Sequence, residues 1–115
     1  DGSRDARLEL GGVPARLLAR GETAHVAGER ARQRAAFAAG AYALGLADAL
    51  FALTLDYLGT RRQFGQAIGS FQALQHRAVD LYLQLRLAQA AVTDCAALID
   101  HPEHAARAAS RVRLR

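Results

Sequence analysis

The sequence predicts an all-α fold, an up-down bundle of long antiparallel helices preceded by a short β segment. Ala and Leu dominate positions 35 to 98 and proline is rare, and both side chains lose little rotamer freedom in a helix. Two long stretches also repeat apolar residues at steps of three and four, the period of one helix face. With 115 residues and 51% hydrophobic content, the chain can form one compact domain or a large piece of one.

The first twenty residues differ from the rest and are predicted to end a β domain. ARLEL and ARLLA flank the break Gly11-Gly12-Val13-Pro14, which predicts two short extended pieces joined by a turn. Two strands alone are marginal in water, so we expect the other strands of their sheet to lie outside this sequence. Residues 1–22 are therefore assigned to the end of that domain and its linker, and residues 23–115 to a helical bundle that is incomplete at its carboxyl end.

The first helix is predicted from about Ala24 to Gly59. At 1.5 Å per residue it would be roughly 50 Å long, which suits a bundle of long antiparallel helices. Asp48 and Asp56 fall outside its apolar stripe. The stripe predicted to mark one face consists of Tyr42, Leu46, Ala49, Leu50, Leu53 and Tyr57.

A second helix follows the glycine-containing segment 61–70, and a third begins near residue 100. Asp100 as cap, Pro102 in the first turn and Glu103 three residues after the cap predict the third start. Leu83 and Leu87 widen the stripe of the second helix, which predicts burial against more than one neighbour. That stripe consists of Leu74, Ala78, Leu81, Leu85, Ala88, Val92, Ala96 and Ile99.

Charge and cysteine content argue against several function classes. All 15 basic residues are Arg, which is typical of a GC-rich genome, and the net charge is +4. The arginines are scattered except at 30–34 and 111–115, so nucleic-acid binding is not expected. The single Cys95 has no partner and no metal-type spacing, which predicts a buried, inert thiol.

The remaining titratable residues give no sign of a metal site or a membrane anchor. His76 precedes Asp80 by four residues on a predicted helix, and we interpret the two as a local structural pair. His101 and His104 flank Pro102 without further ligands, so no metal site is expected. No signal peptide and no charge-free run of eighteen apolar residues occurs. A cytoplasmic bacterial protein without membrane insertion is expected.

The segment Arg61 to Gln72 carries the residues best suited to chemistry. It lies where one long helix ends and the next begins. A guanidinium can bind a phosphate through two parallel hydrogen bonds, a helix amino terminus offers free N–H groups, and glycines let a diphosphate approach the backbone. Gln63 and Gln72 supply neutral donors and acceptors. An ordinary polar turn with solvated arginines is the alternative that this chemistry leaves open.

The same segment resembles a series found in the acyl-CoA dehydrogenases. That family has Arg-x-Gln-Phe-Gly, Ile-Gly, Phe-Gln, His and Ala-Asp in this order, and the resemblance continues upstream through AYALGLADALFALTLDYLGT and more weakly through GGVPARLLARGE. A series in fixed register across two helices is more specific than a lone glycine motif. The matching residues include Arg61, Gln63, Phe64, Gly65, Ile68, Gly69, Phe71, Gln72, His76 and Ala78.

The resemblance implies a cofactor, a reaction and an assembly. In such enzymes this loop reaches across a dimer interface and holds the ADP part of the neighbouring subunit's FAD. Arg61 would then bind the pyrophosphate. The residues along the path of the pyrophosphate would be Gln63, Phe71 and Gln72. Phe64 would wedge the loop against the helices. The implied reaction is α,β-desaturation of an acyl-CoA by a dimer or tetramer of identical or mixed subunits, with an electron-transfer acceptor as a further partner.

No residue of this sequence can be assigned as the catalytic base. In most members a Glu lies beyond the point where this chain ends, and in some it lies on the first helix, near the position of Ala35, where the nearest acid is Glu29. Members that act on simple fatty acyl-CoAs place an Asp and an Arg where Gln33 and Ala36 stand. Arg34 is two residues from the matching point, a rotation of about 200°. This departure predicts an unusual acyl group or a partner subunit that binds no substrate, unless the register differs in this less similar segment.

Two rival functions remain. One is a catalytically inactive scaffold or partner subunit of a heteromeric acyl-CoA dehydrogenase. The other is a helical ligand-binding regulator, for which an Arg-rich helix-turn-helix near the amino terminus would be expected; the sequence has no such element.

Overall fold

A computed structural model describes residues 6–113, and in that range the chain is almost entirely helical. Helix α1 spans Gly21–Thr60, α2 spans Gln72–Leu98 and α3 spans Pro102–Arg113. A short hairpin of β1 (Arg62–Gln63) and β2 (Gln66–Ala67) joins α1 to α2. The predicted all-α fold is confirmed, and the predicted limits of the two long helices differ from the observed ones by one to three residues.

The amino-terminal segment contributes no regular element. Residues 6–20 form neither helix nor strand, and nearly all of their side chains are exposed. The chain bends at Gly11 and Gly12, where a turn was expected. Residues 1–5, which the sequence assigns to the same β segment, lie outside the described residues, as do residues 114 and 115 of the predicted bundle.

The face that α1 turns toward α2 differs from the predicted stripe. Phe37, Leu44, Phe51 and Leu58 are half-buried, whereas the large residues of the predicted stripe, at 42, 46, 50, 53 and 57, are 50–66% exposed. The prediction of the face was wrong because charged residues mark the outer face of a helix, and Asp48 is the only charged residue between positions 35 and 55. A helix that is apolar nearly all round has several stripes of the right period.

The stripe predicted on α2 is largely confirmed. Leu85 is buried, and Leu74, Ala78, Ala88, Val92 and Ile99 are half-buried. Leu81 and Ala96 are exposed despite belonging to the stripe. Leu83 and Leu87, predicted to widen it, are also exposed within this chain. The sequence therefore identified the inner face of α2 but could not separate it from apolar positions that stay exposed in the described chain.

Helix α3 packs against both long helices and completes the small core. Ala105 and Ala109 of α3 are buried, as is Cys95 of α2. Burial raises the pKa of the Cys95 thiol above its usual value, and the neighbouring Asp94 charge acts in the same direction. The thiol therefore stays protonated, as expected of a buried, inert cysteine.

The start of α3 was predicted correctly in position but not in its cap. Pro102 is the first helical residue, where its missing N–H costs nothing. The residue before it is His101, whose carbonyl oxygen accepts hydrogen bonds from the N–H groups of His104 and Ala105. Asp100 is therefore not the cap, and its carboxylate accepts a hydrogen bond of 2.6 Å from Arg34 instead.

The three helices form a long, thin layer with too little core for its size. The described chain measures 70 × 34 × 16 Å with a radius of gyration of 21.2 Å, against about 13 Å for a compact domain of this length. Its accessible surface is 9382 Å², against about 6,100 Å² for a folded monomer of this mass. Most of the apolar surface of the long helices therefore has no partner within this chain.

Helix α1 is also long and apolar enough to cross a membrane, judged by length and composition alone. Core helices of water-soluble proteins meet the same criterion. Asp48 lies in the middle of the apolar stretch and forms an ion pair of 3.8 Å with Arg86 of α2. A lipid environment would penalise that exposed pair, so the pair favours burial against protein.

Candidate functional site

The loop between α1 and α2 is a compact, internally bonded structure. Helix α1 ends at Thr60, and the N–H of Arg61 still bonds to the carbonyl oxygen of Tyr57 at 2.9 Å. The N–H of Ile68 then donates to the carbonyl oxygen of Arg61 at 2.8 Å, which closes the base of the hairpin. A single 3-10 turn over Ile68–Ser70 leads into α2. The loop is thus tied to the helices at both ends.

The hairpin turns over Phe64 and Gly65, both of which have positive φ, 52° and 82°. That arrangement is typical of a type I′ turn, which strongly prefers Asn or Asp followed by Gly. A phenylalanine at the first position costs about 1–2 kcal/mol of backbone strain. Its ring is 91% exposed and meets the Phe71 ring edge-on at 6.1 Å between centroids. The expectation that Phe64 wedges the loop against the helices is therefore wrong.

The loop lies directly on the last turn of α1. A Cβ added to Gly69 would lie 2.8 Å from the carbonyl oxygen of Leu58, closer than any side chain allows. The amide of Gln75 donates to the carbonyl oxygen of Gly69 at 3.0 Å, which ties the loop to α2 as well. Because the backbone at Gly69 is clamped between two helices, any ligand group bound by the loop would meet fixed donors.

The two arginines of the loop have different surroundings. The guanidinium of Arg62 donates to the carbonyl oxygen of Gly65 across the turn at 3.3 Å. Arg61 is exposed, and no hydrogen bond or ion pair of its side chain occurs within residues 6–113. The Arg61 guanidinium therefore has no partner among the described residues, while Arg62 stabilises the turn. The family series separates the two positions, but the bond of Arg62 to Gly65 could not be predicted because it depends on the positive φ of the turn.

The other candidate residues lie on the path from the hairpin to α2. The amide of Gln63 donates to the carbonyl oxygen of Arg62 at 2.9 Å. Phe71 is half-buried and occupies the cap position of α2, where it offers no side-chain hydrogen bond. Gln72 is the first residue of the helix and is exposed. The positive end of the α2 dipole is therefore not capped by a side chain and can accept an anion.

His76 and Asp80, interpreted from the sequence as a local pair, are not joined. Both side chains are exposed, and within the described part of the chain no hydrogen bond or ion pair connects them. The same range contains no group of three or more His, Cys, Asp or Glu placed to hold a metal ion. The loop therefore contributes cationic and amide donors rather than a proton-transfer pair.

The residues expected near a substrate lie in the amino-terminal half of α1. Gln33 and Ala36 are half-buried, and Gln33 lines a polar cleft together with Ile99 and Ala105. Arg34 is held by Asp100 at 2.6 Å. The position of the base on the first helix, near Ala35, offers no carboxylate of its own. The acid nearest to it in sequence, Glu29, accepts a hydrogen bond from Arg32.

Comparison with known protein families gives a match over most of the chain. The family described as "Acyl-CoA dehydrogenase, C-terminal domain" matches residues 22–115. No solved structure matches the chain significantly.

Individual relatives match shorter stretches. The chain is 49% identical over 51 residues to acyl-CoA dehydrogenase IpdE2 of Mycobacterium tuberculosis, covering 44% of this chain and 16% of that protein. It is 43% identical over 61 residues to the probable acyl-CoA dehydrogenase YngJ of Bacillus subtilis, covering 53% and 16%. Acyl-CoA dehydrogenase FadE34 of M. tuberculosis is 34% identical over 91 residues, which cover 79% of this chain and 12% of that protein. The matched stretch is therefore less than a fifth of the length of each of these relatives.

Proposed function

The chain belongs to the acyl-CoA dehydrogenase family, as its carboxy-terminal helical domain, and from that premise we propose that it forms part of an FAD-dependent enzyme that desaturates an acyl-CoA between its α and β carbons. Within that enzyme, the loop from Arg61 to Gln72 holds the ADP part of FAD across a subunit interface. The complete protein is proposed to work in the bacterial cytoplasm, with acyl-CoA as substrate and a separate electron acceptor.

The observation that carries this proposal is the Arg61 guanidinium, which has no partner within residues 6–113, in the loop that leads into the start of α2, which no side chain caps. Both favour negative charge, and both point to the same ligand class, a diphosphate. Arg62 is the structural arginine of the pair, since it bonds to Gly65 within the hairpin. The matching family series contains Arg61 but leaves the following position open, which agrees with this division of roles.

The donor set of the loop suits the ADP part of FAD. Arg61 would form charge-assisted hydrogen bonds to the pyrophosphate, and the amides of Gln63 and Gln72 would bind its polar edges. Phe71, half-buried at the helix start, would fix the course of the loop between Gln63 and Gln72. Bound FAD would supply the acceptor for the hydride that leaves the β carbon of the acyl group. This chain retains the cofactor and does not supply the base that removes the α proton.

The acyl specificity proposed for the complete enzyme departs from simple fatty acids. Gln33 and Ala36 stand where relatives of that specificity place an Asp and an Arg. Arg34 lies two residues from the matching point and bonds to Asp100. We therefore place a bulky or otherwise unusual acyl group, rather than a straight chain, in the substrate site.

Anaerobic titration of the complete protein with acyl-CoA thioesters tests the function. The purified protein should carry the visible absorbance of flavin, and a branched or ring-bearing acyl-CoA should bleach it because hydride transfer reduces the flavin. The matched enoyl-CoA, already desaturated, is the control and should not bleach it. Flavin-free protein would contradict the cofactor assignment, and rapid turnover of straight-chain substrates by the homomer would contradict the specificity.

A second candidate function is a catalytically inactive partner subunit of a heteromeric acyl-CoA dehydrogenase. It is favoured by Gln33 and Ala36, which stand where family members that act on simple fatty acyl-CoAs place an Asp and an Arg. Repeating the titration with any co-encoded homologue separates the two. Bleaching that requires the homologue, with no bleaching by the homomer, would favour the partner-subunit role.

A further inference from the structure

Side-chain donors occupy several carbonyl oxygens of the loop between α1 and α2. The pairs, each carbonyl oxygen with its donor, are Arg62 with Gln63 at 2.9 Å, Gly65 with Arg62 at 3.3 Å, Ala67 with Ser70 at 2.7 Å and Gly69 with Gln75 at 3.0 Å. A carbonyl oxygen accepts hydrogen bonds and donates none, so it offers an anion no partner. Occupying these oxygens within the protein leaves the Arg61 guanidinium and the N–H groups at the start of α2 to face an anionic ligand.

Gln75 differs from the other donors because it reaches from α2 back to the loop. The other donors lie within three residues of their acceptors, whereas Gln75 and Gly69 are six residues apart. The backbone N–H of Gln75 also donates to the carbonyl oxygen of Phe71 at 3.1 Å. Gln75 therefore bonds through both its main chain and its side chain to the segment that precedes the helix.

Gly69 requires such a restraint from another residue. The carbonyl oxygen of Leu58 lies 2.8 Å from the position that a Cβ would take, so this site is restricted to glycine. Glycine has more backbone freedom than any other residue, and it has no side chain that could hold it in place. Since the peptide unit is planar, the bond from Gln75 to the Gly69 carbonyl oxygen also fixes the plane that leads into Ser70. The close approach to α1 therefore depends on Gly69, and the order of its backbone depends on Gln75.

The bond from Gln75 orders the start of α2 without using its N–H groups. A side-chain cap such as Ser or Asp would also fix a helix start, but it would accept hydrogen bonds from the same first-turn N–H groups that bind an anion. The cap position of α2 is Phe71, which makes no side-chain hydrogen bond to the helix. Gln75 donates to a carbonyl oxygen instead. The helix start is thus held in place while no side-chain cap competes for its N–H groups.

We propose that Gln75 is a positioning residue for the diphosphate of FAD, an inference that rests on the proposed function of the loop. Its side-chain amide holds the Gly69 carbonyl oxygen on the side of α2, so that a phosphate at the helix start meets N–H groups and not a carbonyl oxygen. Gln75 does not contact the cofactor and acts through the Gly69 peptide. Ordering the loop before FAD binds lowers the entropy that binding has to remove.

Replacing Gln75 with Met in the complete protein tests this role. Methionine keeps the unbranched shape of the side chain but has no hydrogen-bond donor, and the exposed position of Gln75 leaves the core intact. Gln84→Met makes the same change on α2 at an exposed glutamine whose side chain makes no hydrogen bond within residues 6–113, and serves as the matched control. The measurements are the dissociation constant of FAD and, at saturating FAD, the amide hydrogen exchange of residues 61–72.

We expect Gln75→Met to raise the dissociation constant of FAD about two- to tenfold, the effect of one neutral hydrogen bond, and to speed hydrogen exchange in the loop. Gln84→Met should change neither quantity. In the double variant Gln75→Met/Arg61→Ala, the increase in the dissociation constant should fall short of the product of the two single effects, because both residues act on the same diphosphate. A purely structural role of Gln75 would give the full product.

Unchanged hydrogen exchange in Gln75→Met would overturn the restraint on Gly69. Faster exchange with an unchanged dissociation constant would overturn the positioning role, and so would the full product in the double variant. The single variant Arg61→Ala separates these failures from failure of the proposed function. If Arg61→Ala weakens FAD binding and Gln75→Met does not, the positioning role is wrong and the cofactor role of the loop stands. If neither variant weakens FAD binding, both are wrong.

Discussion

At the scale of single residues, Gly69 decides whether the loop can lie on α1. Replacing it with Ala puts a methyl group 2.8 Å from the carbonyl oxygen of Leu58, so the backbone must shift. We expect Gly69→Ala to lower the free energy of unfolding by about 1–3 kcal/mol. Urea denaturation of the complete protein measures this change.

The matched control is Gly45, which is helical and has open space around its Cβ position. Gly45→Ala should raise the free energy of unfolding by about 0.5–1 kcal/mol, because alanine restricts the unfolded chain and favours the helix. Equal effects of the two substitutions would contradict the close approach at Gly69.

The residues of the site show what sequence can and cannot predict. The positions of Arg61 and Gln72 at the two helix ends followed from the break in periodicity and the glycines. The hydrogen bond between Arg62 and Gly65 could not be predicted, because it arises from a turn with two positive φ angles. Such turns are normally recognised by Asn-Gly or Asp-Gly, and Phe64 conceals this one.

At the scale of the helices, Leu85 and Leu87 of α2 should behave differently. Leu85 is buried against the other helices, whereas Leu87 is half exposed within this chain. We expect Leu85→Ala to lower the free energy of unfolding by about 2–4 kcal/mol through lost contacts and a residual cavity. That loss should not depend on protein concentration, because the contacts are intramolecular.

Leu87→Ala should cost less, and its cost should grow with protein concentration if the exposed face of α2 is covered by another subunit. Urea melts of both variants at two protein concentrations measure the difference. Losses of equal size, both independent of concentration, would contradict the assignment of Leu85 to the inner face and Leu87 to an outer one.

The helices were easier to predict than the faces they bury. Composition and spacing gave the limits of α1 and α2 to within three residues, since both segments lack helix breakers. The inner face of α1 was missed because apolar residues surround the helix between positions 35 and 55. Asp100 was assigned as a cap from local sequence alone, but a contact 66 residues away, with Arg34, takes its carboxylate. Such long-range competition leaves no local signal.

At the scale of the whole molecule, the thin shape and large surface of the chain leave apolar faces that the rest of the protein or another subunit can cover. We expect the complete protein to be a dimer or larger, because apolar faces on both α1 and α2 lie exposed within this chain. Sedimentation at micromolar concentration, followed by both protein and flavin absorbance, tests this. Release of FAD on dilution should accompany dissociation of the subunits. A flavin-loaded monomer would contradict both the assembly and the cofactor contact across the interface.

The central claim is that the loop holds FAD through Arg61, and the dissociation constant of FAD from the complete protein tests it most directly. Loss of a charged hydrogen-bond partner costs about 1.5–3 kcal/mol, so Arg61→Ala should weaken FAD binding about ten- to a hundredfold. Arg62→Ala removes the same charge from a side chain already bonded to Gly65 and should have much less effect. An unchanged dissociation constant for Arg61→Ala, or an equal loss in both variants, would contradict the account.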